Sequence, residues 1–284
     1  MAFCLPAIMG LLFLMAYPVV ASLYYSFCRY SVIKPPVWVG TANYASLVHD
    51  SLFWKSLWNT VVYAVFAVPL GMLVAFCLAL LLNLKVRGMA LYRTLFFVPS
   101  IVPVVAGAAL WLWLLNPQYG LVNAALGSLG IQGPGWLASP AWTKPALILM
   151  SAWGVGGWML IYLAGLQDVP VELYEVAELD GASAWHKLRH ITLPMMSPHI
   201  LFTLIVGLIG AFQLFTNVWI MTNGTGGVAE SALFYSLYLF QNAFSYFKMG
   251  KACAMAWVLF LLIVGLTALV FRTSARYVYY RGGE

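Results

Sequence analysis

The sequence predicts an all-α integral membrane protein with six transmembrane helices, organised as a single domain over residues 1–284. Composition, the length of the apolar stretches and the placing of the acidic residues carry that prediction. Hydrophobic residues make up 63% of the chain and charged residues 8%, with a mean hydropathy of +0.90. Soluble domains are roughly half apolar and a quarter charged. In lipid, backbone hydrogen bonds must be satisfied internally, so a helical crossing needs about 20 apolar residues. Six stretches reach that length, at approximately 3–27, 60–84, 95–116, 145–167, 200–221 and 251–271.

The first stretch has the features of a true span. No Lys or Arg precedes it, and it exceeds the roughly 7–15 residues of a signal-peptide core. Pro69 in the second stretch and Pro99 and Pro103 in the third are positions where a helix can kink. The cysteines, Cys4, Cys28, Cys77 and Cys253, form no CxxC pair, and three of them lie within the stretches, which fits small core hydrophobes.

Orientation follows Lys and Arg. With both termini cytoplasmic, the inner side carries Lys85, Arg87, Arg93, Lys187, Arg189, Arg272, Arg276 and Arg281, eight of the 14 basic residues. Six fall outside: Arg29, Lys34, Lys55, Lys144, Lys248 and Lys251. A basic inner rim facing anionic lipid accounts for the net charge of +6 without a nucleic-acid partner.

The acids are more informative. Five of the eight, Asp168, Glu172, Glu175, Glu178 and Asp180, crowd into 13 residues between the fourth and fifth stretches. At about 2.5 to 3.5 kcal/mol per charge at the bilayer centre, this segment stands outside the membrane. Val169, Leu173, Val176, Ala177 and Leu179 or Asp180 recur at three- and four-residue spacing, Pro170 suits a first helical turn, and Glu172 and Glu175 sit near the positive N-terminal end. Gly181 interrupts this helix, Ala182 to His190 form a second, and Ile191-Thr192-Leu193-Pro194 re-enters the membrane. The segment 168–199 is thus expected to be a cytoplasmic helix-turn-helix elbow.

Glu175-Val176-Ala177, three residues, Gly181, nine residues and Ile191-x-Leu193-Pro194 resemble the signature loop of binding-protein-dependent ABC importer permeases, usually written EAA, three residues, G, nine residues, IxLP. Val176 stands where that family typically has Ala. Tyr17-Pro18, Ser22-Leu23-Tyr24-Tyr25-Ser26-Phe27, Val39-Gly40-x-x-Asn43-Tyr44, Phe53-Trp54, Asn59-Thr60, Leu95-Phe96-Phe97-x-Pro99 and Met221-Thr222-x-Gly224 are similar to the sugar permeases of the maltose and glycerol-phosphate type. Such subunits often begin with a basic cytoplasmic arm, whereas here the first stretch starts almost at Met1.

The resemblance implies the type I importer permease fold in a bacterial inner membrane. It implies a second, different permease, two copies of an ABC ATPase that bind ATP and Mg, and an extracytoplasmic solute-binding protein. Glu175, Ala177, Asp180, Gly181, Ile191, Leu193 and Pro194 would couple the spans to the ATPase, with Glu175 for polar anchoring and Gly181 for the bend. The solute path calls for polar and aromatic groups, since sugars are held by hydrogen bonds and ring stacking. Candidates are Gln213 and Asn217, four apart and so on one face of the fifth span, with Trp153, Trp158 and Tyr162 on the fourth. Each also has a purely structural role available, as a helix-to-helix hydrogen bond or an interfacial anchor.

Other chemistries fit poorly, and the chain is not expected to be an enzyme or to bind a cofactor itself. A phosphate-binding loop needs GxxxxGK[ST], and the only Gly-Lys pair, Gly250-Lys251, is followed by Ala. Gly224-Thr225-Gly226-Gly227 is expected to be a flexible loop. His186 and His190 share a helix face, but Lys187 and Arg189 between them oppose a metal. An intramembrane enzyme would want a histidine deep in a span, and a self-sufficient secondary transporter would place ionisable residues there. The six stretches hold essentially none.

Overall fold

The structure, a computed structural model, describes residues 4–84 and 86–274. Of the basic residues assigned above to the inner side, Lys85, Arg276 and Arg281 lie outside the described residues, as does the start of the first stretch at residue 3. Among the described residues, four helices are long and apolar enough to cross a membrane: Leu5–Ser26, Ser51–Leu82, Ala184–Thr222 and Met249–Ser274. Two bent pairs, Met89–Ile101 with Val104–Leu114 and Pro140–Gly154 with Gly156–Gln167, pass the same test when each pair is taken together.

The bends mark where sequence and structure part. The stretch 95–116 is no straight helix, because its two halves meet at 95°. Pro103 has no N–H to donate and forces its predecessor out of the helical region, and Val102 is accordingly extended at φ −62°, ψ 127°. The fourth stretch bends by 49° through a single tight turn, Ala152–Gly154. In the fifth, regular helix stops at Phe212 and resumes at Thr216. Pro69, by contrast, sits inside the unbroken helix Ser51–Leu82. That helix begins before residue 60 because Asp50 caps it, its Oδ1 accepting from the N–H groups of Leu52 at 3.0 Å and Phe53 at 3.4 Å.

Ser51–Leu82 is the central post. Gly71, Ala75 and Ala79 recur every fourth residue and are buried, so Gly156–Gln167 and Leu193–Phe212 can approach closely, the small-residue device of membrane helices. Met159, Leu163, Leu166 and Met196 complete that core. The first helix is different, since no residue between Leu5 and Tyr25 is buried. It packs on the last helix, where the Trp257 indole donates to Ser22 Oγ at 3.2 Å.

The end of the molecule away from the elbow carries a short hairpin, Cys28–Arg29 paired antiparallel with Val37–Trp38, and a helix, Ala42–Val48. Here Lys251 Nζ and the Tyr238 hydroxyl each reach Asp50 Oδ2 at 2.6 Å. The glycine-rich stretch 224–227, expected to be flexible, is pinned instead. Gly224 O accepts from Gln241 Nε2 at 2.7 Å, and Gly226 N donates to Thr222 Oγ1 at 3.2 Å. Gly224, Gly226 and Gly227 all have φ between +73° and +85°, where a side chain is strained. Beyond them, Asn59 Nδ2 donates to the carbonyls of Glu230 and Leu233, each at 3.0 Å.

Candidate functional site

The three helix interruptions converge. A cavity of about 220 Å³ is lined by Ser100 and Val102 at the first break, Ser151 and Trp153 at the second, Asn217 just after the third, and Tyr63 on the central post. Broken helices place backbone polar groups at membrane depth, which lipid tolerates only beside a cavity or within protein. A neighbouring cavity of about 320 Å³ shares Tyr63 and Ser151 and adds Trp158, Gly207 and Gly210. No charged side chain lines either one.

Small and aliphatic residues make up most of these walls, and aromatic rings and hydroxyls are set among them. Trp111 and Trp153 meet edge to face, ring centroids 6.1 Å apart, and the buried Trp111 Nε1 has no hydrogen-bond partner among the described residues. Ser100 and Ser151 donate to the carbonyls of Phe97 and Ile148 at 2.7 and 2.6 Å, which leaves their oxygens as acceptors. Trp158 fits because two glycines face it: a Cβ on Gly71 or Gly207 would stand 2.9 Å from its ring.

Of the residues proposed from the sequence for the solute path, Trp153 and Asn217 come together in the first cavity and Trp158 borders the second. Tyr162 does not line either. It is 1% exposed and bonded through its hydroxyl to Thr203 Oγ1, tying two helices together. Gln213 is exposed and lines neither cavity. The shared face expected for Gln213 and Asn217 fails because the helix between them is broken. Tyr63, Ser100, Ser151 and Trp111 were missed; what signalled them was a polar or amphipathic side chain well inside, or at a break of, an apolar stretch.

The elbow forms a second unit. Val171–Leu179 is helical, with Pro170 just ahead of it and Glu172 in its first turn. The chain then turns at Gly181, whose φ is +77°. An added Cβ there would meet nothing within 4 Å, so it is backbone conformation and not space that calls for glycine. Ala182 N closes the turn on Ala177 O at 2.8 Å. Ser183 caps the next helix, Ala184–Lys187, accepting from His186 N at 3.3 Å. A π turn, Leu188–Thr192, carries the chain into Leu193–Phe212.

Two ties brace the elbow. Tyr174 and Thr192 share a hydrogen bond at 2.9 Å, and Lys187 pairs with Glu178 at 2.7 Å. Glu175, Asp180 and Gly181 are exposed, and Glu175 makes no ion pair among the described residues. Ala177 and Ile191 face each other across a cleft of about 290 Å³. Leu193 is exposed and Pro194 half-buried where the spans resume. No residue of Val171–Leu179 is buried, although Val171, Leu173, Val176 and Leu179 are apolar.

The chain has extensive likeness to known proteins. Residues 67–279 match the family described as binding-protein-dependent transport system inner membrane component. Over its full length the chain is 41% identical to the probable ABC transporter permease protein YesP of Bacillus subtilis, covering 92% of that protein. It is 37% identical to the lactose transport system permease protein LacF of Rhizobium radiobacter, over 95% of this chain and 91% of that one. In fold it resembles a chain of the bacterial alginate ABC transporter solved in complex with an alginate pentasaccharide-bound periplasmic protein. The TM-score is 0.84 at 24% identity, over 97% of this chain and 93% of the other.

Proposed function

This chain belongs to the family of binding-protein-dependent transport system inner membrane components and is a permease subunit of an ABC importer; we propose that its cargo is a sugar or related small solute and that the elbow receives the driving force. The cargo proposal rests on the likeness to a lactose permease and on uncharged cavity walls that set indole faces, hydroxyls and an amide among aliphatic residues. Such walls suit a neutral polyhydroxylated solute.

The coupling proposal rests above all on the elbow's unburied apolar surface, with Leu179 89% exposed. Water disfavours such a surface, and a groove in a partner would cover it. The partner is an ATPase, present in two copies and supplying the bound ATP and Mg. A second, different permease closes the path, and an extracytoplasmic solute-binding protein delivers the cargo. Elbow and both termini then lie on the cytoplasmic side. When the ATPase pair closes, the rigid elbow passes its displacement through Leu188–Thr192 into the Leu193–Phe212 helix. The helix interruptions around the cavity give the spans somewhere to bend.

Tagged wild-type chain and the Glu175→Lys, Gly181→Pro double variant, each purified from the native host in mild detergent, provide the test. Mass spectrometry should find an ATPase and a second permease with the wild type, and the second permease alone with the variant. A wild-type chain that comes out without an ATPase would sink the proposal.

A further inference from the structure

The sequence leaves six basic residues on the side away from the elbow, against the usual bias of Lys and Arg towards the cytoplasm. Four of them, Arg29, Lys34, Lys248 and Lys251, line one cavity of about 580 Å³, and no acidic residue lines it. The adjoining acid, Asp50, is already engaged by Lys251 and Tyr238. Arg29, Lys34 and Lys248 make no ion pair among the described residues.

The cavity lies at a membrane boundary. Arg29 and Lys34 follow directly on the end of the first span at Ser26, and Lys248 immediately precedes the last span, which starts at Met249. Around it, Tyr24, Trp38, Tyr246 and Phe247 are all at least half exposed, as in an interfacial aromatic belt. Val32 and Phe247 hold φ of +66° and +53°, a strained conformation for a β-branched or bulky residue. That backbone presents apolar side chains beside Lys34 and Lys248, with Val32 55% and Ile33 77% exposed.

We propose that this cavity holds the phosphate of an anionic phospholipid, with the acyl chains lying along the exposed first span. Of the neutral polar groups in the wall, Asn43 and Ser46 already donate within the chain, while the Tyr30 and Ser31 hydroxyls can still donate to a phosphate. Asn43 donates to the carbonyls of Ser26 and Cys28, Ser46 to that of Asn43, and Ser31 Oγ accepts from Lys34 N. Recognition falls to three free cations and these two hydroxyls inside an apolar collar, which suits the phosphate of a charged headgroup. An acidic protein segment has no use for the adjoining lipid-facing span.

Native mass spectrometry of the full transporter from nanodiscs of mixed phosphatidylglycerol and phosphatidylcholine tests this. Wild type should retain phosphatidylglycerol preferentially, and the Arg29→Gln, Lys248→Gln pair should cut that preference about tenfold. The charge-conserving pair Arg29→Lys, Lys248→Arg should keep it, as should Lys55→Gln, a cation on the same side that pairs with Glu230 and lies outside this cavity. Thermal melting in pure phosphatidylcholine discs checks folding, and Lys34→Gln alone serves if the neutral pair does not fold. An unchanged lipid preference in the neutral variant overturns the proposal, and so does an equal loss in Lys55→Gln. Retained lipid with lost capture of a periplasmic binding protein also overturns it, and assigns the cavity to protein docking.

Discussion

The two ends of this molecule are built on opposite principles. At the elbow, Val171–Leu179 buries none of its residues and is tied to the next helix by one side-chain hydrogen bond and one ion pair with a 65% exposed Glu178. At the far end, Asp50 caps the central helix while accepting from Lys251 and Tyr238, and Asn59 fastens the 230–233 turn. The Asp50 and Lys251 side chains are only 14% and 15% exposed. Around Asp50 and Asn59 the chain satisfies its own polar groups, although the boundary pocket beside them leaves Val32, Ile33 and Phe247 exposed. A region finished by a partner keeps apolar surface in reserve. The elbow is therefore held in shape by backbone geometry, and the far end by side chains.

The largest effect should come from breaking the far end. Asp50→Ala leaves the Lys251 ammonium without its carboxylate and removes a helix cap, and should lower stability by about 3 kcal/mol, read by thermal unfolding in detergent. Protonation should do part of the same. Burial pushes the Asp50 carboxyl up, but the hydrogen bonds from Lys251 and Tyr238 and the nearby ammonium outweigh burial and hold it below the ordinary value. A carboxyl depressed by folding contributes its full stability above the unfolded value of about 3.9 and loses it as pH falls through the folded one. Wild type should thus melt lower as pH drops below about 4, and Asp50→Ala should show less of that fall. The Tyr238 hydroxyl, pushed up to about 12 by burial and by its bond to Asp50, stays a donor throughout.

A smaller effect, confined to the elbow, is expected of Gly181→Ala. The methyl meets open space, so only the left-handed backbone at φ +77° resists it, at about 1 kcal/mol. Hydrogen exchange should rise across 171–180 and leave the far end unchanged; faster exchange around Asn59 would mean that the ends are not independent. Smallest of all, Lys187→Gln should change melting by no more than about 0.5 kcal/mol, because its partner Glu178 is well solvated. A loss as large as that of Asp50→Ala would erase the contrast.

Much of this was legible in the sequence. Acids cannot sit in lipid, so five of them in 13 residues announced the elbow, and Gly181 announced its bend. Trp153 and Asn217 were legible as path candidates because indole and amide groups are conspicuous in apolar stretches. Tyr162 was conspicuous for the same reason and is a packing residue, since one-dimensional pattern does not say which way a helix turns its faces. The stretch 224–227 misled because glycine at positive φ looks the same in sequence whether the turn is loose or pinned, and Asn59 and Gln241, which tie down this stretch and the turn after it, lie far away or across a helix.

By itself the sequence determined the solvent, the class of fold and the position of the elbow, because transfer of charge and backbone into lipid costs enough to decide each segment separately. Only the tertiary structure decided which side chains meet. It brought three helix interruptions to one cavity, closed Asp50 on Lys251 across about 200 residues, and gathered cations from both ends of the chain into one boundary pocket. The meeting of side chains from distant segments is a property of packed surfaces in three dimensions, as where Gly71 on the Ser51–Leu82 helix makes room for Trp158 beside the second cavity.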